Sequence, residues 1–587
     1  MNYALGGSGN KKQKRVLSQD LKKLAPLLAK EKRQVAVAIA AVLVWSLAAL
    51  ADPIIIARAI DLYIKNKDFG GVLASAAILL AVYAVGLAAS YVQTRVLGGV
   101  GRRVLFDLRN VLFAKLQELP AAFFNQNKSG DLISRINNDT DKLNQFIGQA
   151  LMQFMRSSFI VAGAGIFLLL LNPPLGAVAL VPAVIVLAAT RLLAPWVEAA
   201  NLKSLQSTGK MSSEIQESLA NFKVVAAFNR RDYFRDKFNN VNKGNFSASV
   251  KAGIASNIYA PIYGIASTLA QMAVLGYGLY LIGAGNLTIG LLVGYLLYLN
   301  SFYAPLRQLA AVWPTMQLAF AAIDRIMEVM ALKSDMEIIQ DETGGHKSDY
   351  QLEFKNVTFT YPDGKTVLDK VNLQLQKGKT YALVGPTGGG KTTTASLMAR
   401  LYDATEGDIF FEGKDIRSYP AAQRAQKIGF ILQEPFLFSG TIRDNIVYGN
   451  EKYLNCSDGQ LAKALEDAGL SGLVARFSDG LKTKIISGGD TISLGQKQLV
   501  VFIRAVLRKP DLLILDEATA NIDTVTEQLL EDIIKKLPQD TTKVIIAHRL
   551  NTIDAADEIF FVNAGTITPA GSLQNAVKLL TGQKRTS

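Results

Sequence analysis

Six apolar stretches punctuate the first 335 positions and none follows them. They centre near Val35–Ile56, Val72–Val92, Ile147–Leu171, Leu175–Val197, Ile254–Ile282 and Ile289–Tyr303. A helix that crosses a membrane needs about 20 mostly apolar residues, so the pattern predicts six spans. The turns Lys65–Gly71, Asn172–Pro174 and Gly283–Thr288 are short, and their only basic residues are Lys65 and Lys67. The alternate connections are long and basic. The first carries Arg95, Arg102, Arg103, Arg109, Lys115, Lys128 and Arg135; the second carries Lys203, Lys210, Lys223, Arg230, Arg231, Arg235 and Lys237. Basic residues collect on the cytoplasmic side, which puts both long connections and both termini there.

Those connections do not read as loops. From Val72 to Leu119 there is no proline, and the pattern turns amphipathic after Tyr91. Some 45 residues at 1.5 Å each make about 70 Å of helix, far beyond a hydrocarbon core of about 30 Å. The surplus must project into the cytosol. Asp131–Leu171 and the stretches flanking Asn221–Arg231 carry the same expectation. Asp52, beside Pro53 in the first span, is a charge at bilayer depth. It either lines a cavity or sits near a kink and pairs with Arg58. Tyr259, Tyr263, Tyr277, Tyr280, Tyr295, Tyr298, Phe302 and Trp313 enrich the last two spans in aromatics, which packing accounts for in most cases.

Past residue 335 the pattern changes. Leu332–Asp349 is polar, with Gly344-Gly345, and reads as a linker. From 350 onward, short apolar runs such as Thr380–Val384, Leu512–Leu515 and Val544–Ala547 read as buried central strands of a parallel sheet. The organisation is thus a disordered tail over 1–15, a six-helix membrane domain over 16–335, a linker over 336–349 and an α/β domain over 350–587.

Composition narrows this little. The chain has 587 residues, half of them hydrophobic, with a net charge of +14. Long apolar segments make a positive-inside membrane protein a better account of the charge than nucleic-acid binding. A single cysteine, Cys456, excludes a disulfide framework within one chain. No cleavable signal peptide is evident: the first apolar run is too long for one. Gly6-Gly-Ser-Gly9 has the composition of a flexible linker and is set aside.

The chemistry lies in the second half. Gly385-Pro-Thr-Gly-Gly-Gly-Lys391-Thr392 fits G-x-x-x-x-G-K-[ST], after a strand-like run and before a helix-like one. Backbone N–H groups of Gly385, Pro386-Thr387, Gly388, Gly389, Gly390 and the helix start around Thr393 would cradle phosphates; proline itself offers only its turn. Lys391 adds a point charge for the β/γ-phosphates of ATP, and Thr392 a hydroxyl for Mg²⁺. Leu512-Leu-Ile-Leu-Asp516-Glu517 ends in two carboxylates. Asp516 suits the Mg²⁺ shell and Glu517 the polarising of an attacking water. His548 ends another apolar run and suits the γ-phosphate. Gln433, after Gly429–Leu432, reaches metal and water. Tyr361 can stack on adenine.

In this order and spacing, the residues over 350–587 resemble the nucleotide-binding domain of an ABC transporter. Ile492-Ser493-Leu494-Gly495-Gln496 corresponds to that family's Leu-Ser-Gly-Gly-Gln signature, and Asn521-Ile522-Asp523 to its D-loop. The resemblance implies two such domains sandwiching two ATP molecules, with Ser493, Gly495 and Gln496 facing the partner's ATP and Asp523 communicating across the interface. Residues 16–335 resemble, with weaker motifs, the type IV exporter membrane domain. That likeness makes the segments near 120–126 and 221–228 coupling helices. It implies an ATP-driven half-transporter that moves a small hydrophobic drug or lipid across the bilayer.

Two departures bear on the partner. Leu494 stands where the signature has glycine, and Ser487 where exporters usually carry glutamate. A full catalytic half beside an altered signature half resembles the catalytic-glutamate subunit of a heterodimeric exporter with one degenerate ATP site. A homodimeric lipid flippase, an exporter-fold importer and a weakly hydrolysing regulatory subunit stay open.

Overall fold

The structure is a computed structural model that describes residues 3–5, 29–340, 348–486, 492–516, 524–546, 556–571, 574–575 and 578–579. The chain divides into two compact units. One comprises Gly6–Gln117 and Ser129–Ala331; the other comprises Met1–Leu5, Glu118–Lys128 and Leu332–Ser587.

The first unit is helical. Among the described residues, six helices are long and apolar enough to cross a membrane: Ala29–Ile64, Phe69–Gln117, Ser129–Leu171, Pro173–Ala220, Arg231–Gly283 and Ile289–Met330. The second has 49 residues and the fifth 53. At 1.5 Å per residue these exceed a bilayer roughly twofold, so the expected extensions exist. Tight approaches set the outer turns. Asn172 caps the fourth helix by accepting from Leu175 N–H at 3.2 Å. The carboxylate of Asp61 accepts from Gly290 N–H at 2.9 Å and from the Thr288 hydroxyl, anchoring the sixth helix against the first. A Cβ on Gly290 would lie 2.2 Å from the Ala57 carbonyl, so only glycine fits there.

The aromatic residues of the sixth helix are mostly core. Tyr295, Tyr298 and Tyr303 are buried, and their hydroxyls donate to the carbonyls of Leu168, Leu50 and Ala179 at 2.7, 2.6 and 2.9 Å. A phenol buried in this way needs such an acceptor. Asp52 pairs with neither Arg58 nor another charge among the described residues; Tyr83 Oη donates to it at 2.9 Å from the second helix.

The third helix widens into π-turns at Arg135–Asp139 and Phe146–Ala150. The first turn inserts a charged network. Arg135, 3 % exposed, pairs with Asp131 at 2.9 Å and Glu328 at 2.8 Å. Arg325 of the sixth helix pairs with Asp131 at 2.6 Å and with the fully buried Asp139 at 3.2 Å. Lys142 adds a third cation, 2.9 Å from Asp139, so three cations meet three anions, and the arginines fasten the third helix to the sixth. Burying any one of these charges unpaired would be strongly unfavourable.

The second unit is the α/β domain. Its strands are β1 (Tyr350–Thr360), β2 (Thr366–Gln376), β3 (Thr380–Val384), β4 (Glu406–Phe411), β5 (Lys414–Asp415), β6 (Ile428–Ile431), β7 (Gly440–Thr441), β8 (Lys484–Ile485), β9 (Leu512–Asp516), β10 (Thr542–Ile546), β11 (Glu558–Asn563) and β12 (Thr566–Pro569). A four-stranded antiparallel sheet runs β2-β1-β4-β5, and a six-stranded sheet runs β12-β11-β3-β10-β9-β6. Every residue of β9 and β10 is buried, as expected of central parallel strands covered on both faces.

The short helix Ala121–Gln126 belongs to this unit, with Phe123 fully buried. So does Tyr3, 1 % exposed, which the sequence reading had placed in a disordered tail. Its ring and hydroxyl both find partners, described below, and a basic flank conceals that from composition alone.

Candidate functional site

The parallel strands fix the site. Ile546 of β10 pairs with Leu383 of β3 on one side and with Asp516 of β9 on the other, and Ile431 of β6 pairs with Leu515. The carboxyl ends of four strands therefore share one rim. The phosphate loop leaves β3 there, Asp516 ends β9 there, and Gln433 follows β6 two residues beyond it. Ligands of open parallel sheets bind at such rims.

The loop from Gly385 to Gly390 turns on its glycines. Gly385, Gly388 and Gly390 have φ of +151°, +81° and +113°. Left-handed backbone of this kind favours glycine. A Cβ on Gly385 would also lie 2.0 Å from the Val562 carbonyl of β11. Gly390 caps the helix Lys391–Met398 and accepts from Thr394 N–H at 2.9 Å. Pro386, Thr387 and Gly388 are exposed, as a phosphate cradle requires. Lys391 Nζ donates to the carbonyls of Gly385 at 2.9 Å and Pro386 at 3.0 Å, so its ammonium lies within the loop itself.

Thr392 presents its side chain outward while Thr393 turns inward. Asp516 is buried at the strand end. A hydroxyl and a carboxylate at one rim form a hard oxygen donor set, which fits Mg²⁺. Gln433 is exposed. Tyr361 is half-buried: it packs edge-on to Phe359 at 4.8 Å and Tyr402 at 5.6 Å, and its hydroxyl meets Thr393 Oγ1 at 3.1 Å. Glu517, Asp523 and His548 lie outside the described residues, as does Ser487.

The signature segment opens the helix Leu494–Val506. Ser493 Oγ accepts from Gln496 N–H at 3.2 Å, and Ser493 N–H donates to Gln496 Oε1 at 3.0 Å. That reciprocal capping box leaves the remaining N–H groups of the first turn pointing outward, the arrangement that binds an anion. Leu494 is 46 % exposed at the first helical position, with Gly495 half-buried behind it.

The sequence reading missed the hub behind this helix. Arg504 donates to the Asn445 carbonyl at 2.7 Å and to Asn445 Oδ1 at 2.9 Å. Asn445, fully buried, holds both backbone groups of Phe438 at 2.8 Å each. Burial pushes the Arg504 guanidinium down to about 10. The stretch after Gln433 is thereby tied to the signature helix. Asn445 lies between Asp444 and Ile446, a context that carries no signal of a buried hub. A second missed contact joins Asn125 to the Tyr402 hydroxyl, whose ring also packs on Tyr361. Burial raises the Tyr402 phenol above its ordinary value.

Fold and site together define an ATP-binding-cassette ATPase fused to a six-helix membrane domain. The family model of the ABC transporter transmembrane region matches residues 35–306, and that of the ABC transporter matches 368–520. An uncharacterized ABC transporter ATP-binding protein, YfiC of Bacillus subtilis, is 31 % identical over 95 % of this chain and 92 % of its own. A fatty acid ABC transporter ATP-binding/permease protein of Mycobacterium bovis is 31 % identical over 86 % and 80 %. An ATP-dependent lipid A-core flippase of Syntrophus aciditrophicus is 28 % identical over 84 % and 82 %. The chain belongs to the ABC transporter family. It is an exporter-type half-transporter: a multi-pass membrane protein whose cytoplasmic domain binds ATP and couples its hydrolysis to transport.

Proposed function

We propose that the chain exports a hydrophobic or lipid-like substrate as one subunit of a heterodimer. The observation that carries the heterodimer is Leu494: a branched, half-exposed side chain at the anion-facing start of an otherwise intact signature helix. Glycine there lets the backbone approach a phosphate closely, and Leu494 Cβ and its branches stand in that path. The partner would then supply the competent signature to the ATP held at Lys391. The names of the fatty acid and lipid A-core relatives support a lipid-like cargo.

In this reading the backbone N–H groups of Gly388 to Thr392 hold the phosphates, and Lys391 moves from its loop carbonyls to the β/γ-oxygens. Thr392, Gln433 and Asp516 would hold Mg²⁺, which neutralises charge on the transferring phosphoryl group. Glu517 accepts the proton of the attacking water, and His548 holds the γ-phosphate in line. Tyr361 offers its face to adenine, and Asp523 links the two halves of the dimer. Closure of the ATPase domains passes to the membrane helices through Ala121–Gln126 and Phe222–Ala227, the coupling helices. The Asn125–Tyr402 contact supports the first of these assignments.

The intact Ser493–Gln496 capping box favours a second reading, a homodimer that tolerates Leu494. Mg-ATPase of this chain purified alone in nanodiscs, beside Glu517→Gln, separates the two. Activity near background supports the heterodimer. Robust activity abolished by the variant establishes the homodimer.

A further inference from the structure

Residues 3–5 are gripped as a peptide is gripped in a binding site. Asn127 closes the short helix Ala121–Gln126, and its amide reads the backbone on both sides of Ala4. Nδ2 donates to the Tyr3 carbonyl and Oδ1 accepts from Leu5 N–H, at 3.0 Å each. The same Nδ2 donates to the Phe123 carbonyl at 2.8 Å, which fixes the amide on its own helix. Gln126 Oε1 takes the Tyr3 N–H. Tyr3 is the anchor: its ring is buried against Phe123, and its hydroxyl both donates to and accepts from Asp335. In peptide recognition, main-chain bonds supply affinity and anchor side chains supply selectivity. A chain end ordinarily frays unless it is tied down in this way.

The segment that Tyr3 reaches is fastened in turn to the end of the phosphate-loop helix Lys391–Met398. Arg400, buried two residues past Met398, donates from Nη2 to the Glu337 carbonyl at 2.8 Å and from Nη1 to the Arg417 carbonyl at 3.1 Å. Ile339 N–H donates to the same Arg417 carbonyl at 3.2 Å. Asp403 pairs with Arg400 Nε at 2.8 Å and holds the guanidinium in place. Between these two residues, Tyr402 accepts from Asn125 of the short helix. The contacts close a ring. It runs from the short helix through Asn125 to Tyr402, along the chain to Arg400, through Glu337 to Asp335, and through Tyr3 back to Gln126 and Asn127. Residues 3–5 are the member of that ring at a chain end, so they leave by local opening, without unfolding either neighbour.

We propose that residues 3–5 are a strap that carries nucleotide state from the phosphate-loop helix to Ala121–Gln126. Seated, the strap closes the ring, and the short helix, the 335–339 segment and the end of the phosphate-loop helix shift as one body. Unseated, the short helix keeps Asn125 on Tyr402, but one hydrogen bond fixes a point and not an orientation. A shift that follows ATP binding then reaches the short helix only in part. Coupling of this kind needs a two-state element that the nucleotide site biases, and a seated or unseated strap is one. Tyr3 is a positioning residue here, since it touches no nucleotide. The inference rests on the reading of Ala121–Gln126 as a coupling helix only for the onward path into the membrane.

The test uses the full chain in nanodiscs and reads hydrogen exchange over 121–127 with and without a non-hydrolysable ATP analogue. In the native sequence the analogue should slow exchange there about five-fold, the low end of ordinary coupling between sites. Deletion of residues 2–5 and Tyr3→Phe should both erase that response while analogue affinity stays within about two-fold of native. Tyr3→Phe keeps the backbone grip and opens the ring only at Asp335, so exchange without nucleotide should rise modestly. A merely structural role would raise that baseline and leave the nucleotide response in place. Where the deletion lowers analogue affinity, Tyr3→Phe, which removes a single oxygen, carries the test. A response that survives in Tyr3→Phe, or that is missing from the native sequence, overturns the strap. A strap-dependent response at 121–127 that does not extend to 110–117 leaves the strap standing and counts against the coupling-helix reading.

Discussion

Tyr3 and Asp335 hold each other twice: the Tyr3 hydroxyl donates to Asp335 Oδ1 at 2.6 Å and accepts from Asp335 N–H at 2.8 Å. Tyr3 also reaches the short helix Ala121–Gln126. Its N–H donates to Gln126 Oε1 at 2.8 Å, its carbonyl accepts from Asn127 Nδ2 at 3.0 Å, and its ring lies edge-on to Phe123 at 6.4 Å. One residue thus ties that helix to the segment that follows the sixth membrane helix. Tyr3→Ala removes the ring and the hydroxyl and should cost about 2–4 kcal/mol locally. Tyr3→Phe keeps the ring and should cost about 1 kcal/mol. Hydrogen exchange over 121–127 should accelerate strongly in the first variant and modestly in the second, and equal protection in all three proteins would refute the tie.

The phosphate loop offers a contrast between two glycines. Gly385→Ala places a Cβ 2.0 Å from the Val562 carbonyl, a clash that backbone must absorb. Gly388→Ala meets nothing within 4 Å and suffers only its φ of +81°, worth about 1–2 kcal/mol. ATP affinity, measured with a fluorescent analogue, should fall more than about ten-fold in the first and less in the second.

Leu494→Gly tests the altered signature. If the leucine limits the site formed by two copies of this chain, the variant alone should gain at least about ten-fold in Mg-ATPase rate. An unchanged rate would place the limitation elsewhere.

Asp444 gives a pH signature. Its carboxylate accepts from the Thr441 hydroxyl and N–H at 2.8 Å each, which holds its pKa below the usual carboxylate value. In the window just below that usual value the unfolded chain therefore binds more protons, and the carboxylate's contribution is lost as pH falls through the folded pKa. Asp444→Asn should flatten the acid limb of ATPase-domain unfolding by up to one proton, read from the pH dependence of the denaturation midpoint.

The nucleotide site was legible because its chemistry is local. Gly385 to Thr392 need fixed spacing along the chain, and Ser493 and Gln496 are three residues apart because a capping box spans one turn. The six spans were legible through apolar length. The missed contacts act across the fold. Asn445 and Arg504 are 59 positions apart, and neither carries a periodic signal. Asp139 is buried because a π-turn aims it at Arg325 of another helix. Asp52 takes Tyr83 rather than Arg58 because the second helix runs alongside the first, which a single helix pattern does not reveal.

Strand β3 lies between β10 and β11, both of which come more than 150 positions later in the chain. Val562 of β11 also abuts the glycine that opens the phosphate loop. On the ribosome, then, the loop emerges with neither flanking strand yet made. The membrane helices are inserted and the antiparallel sheet can close while the ATP cradle is still half-walled. The nascent transporter gains its grip on ATP only near the end of synthesis, so an unfinished chain already seated in the bilayer is in no position to spend nucleotide.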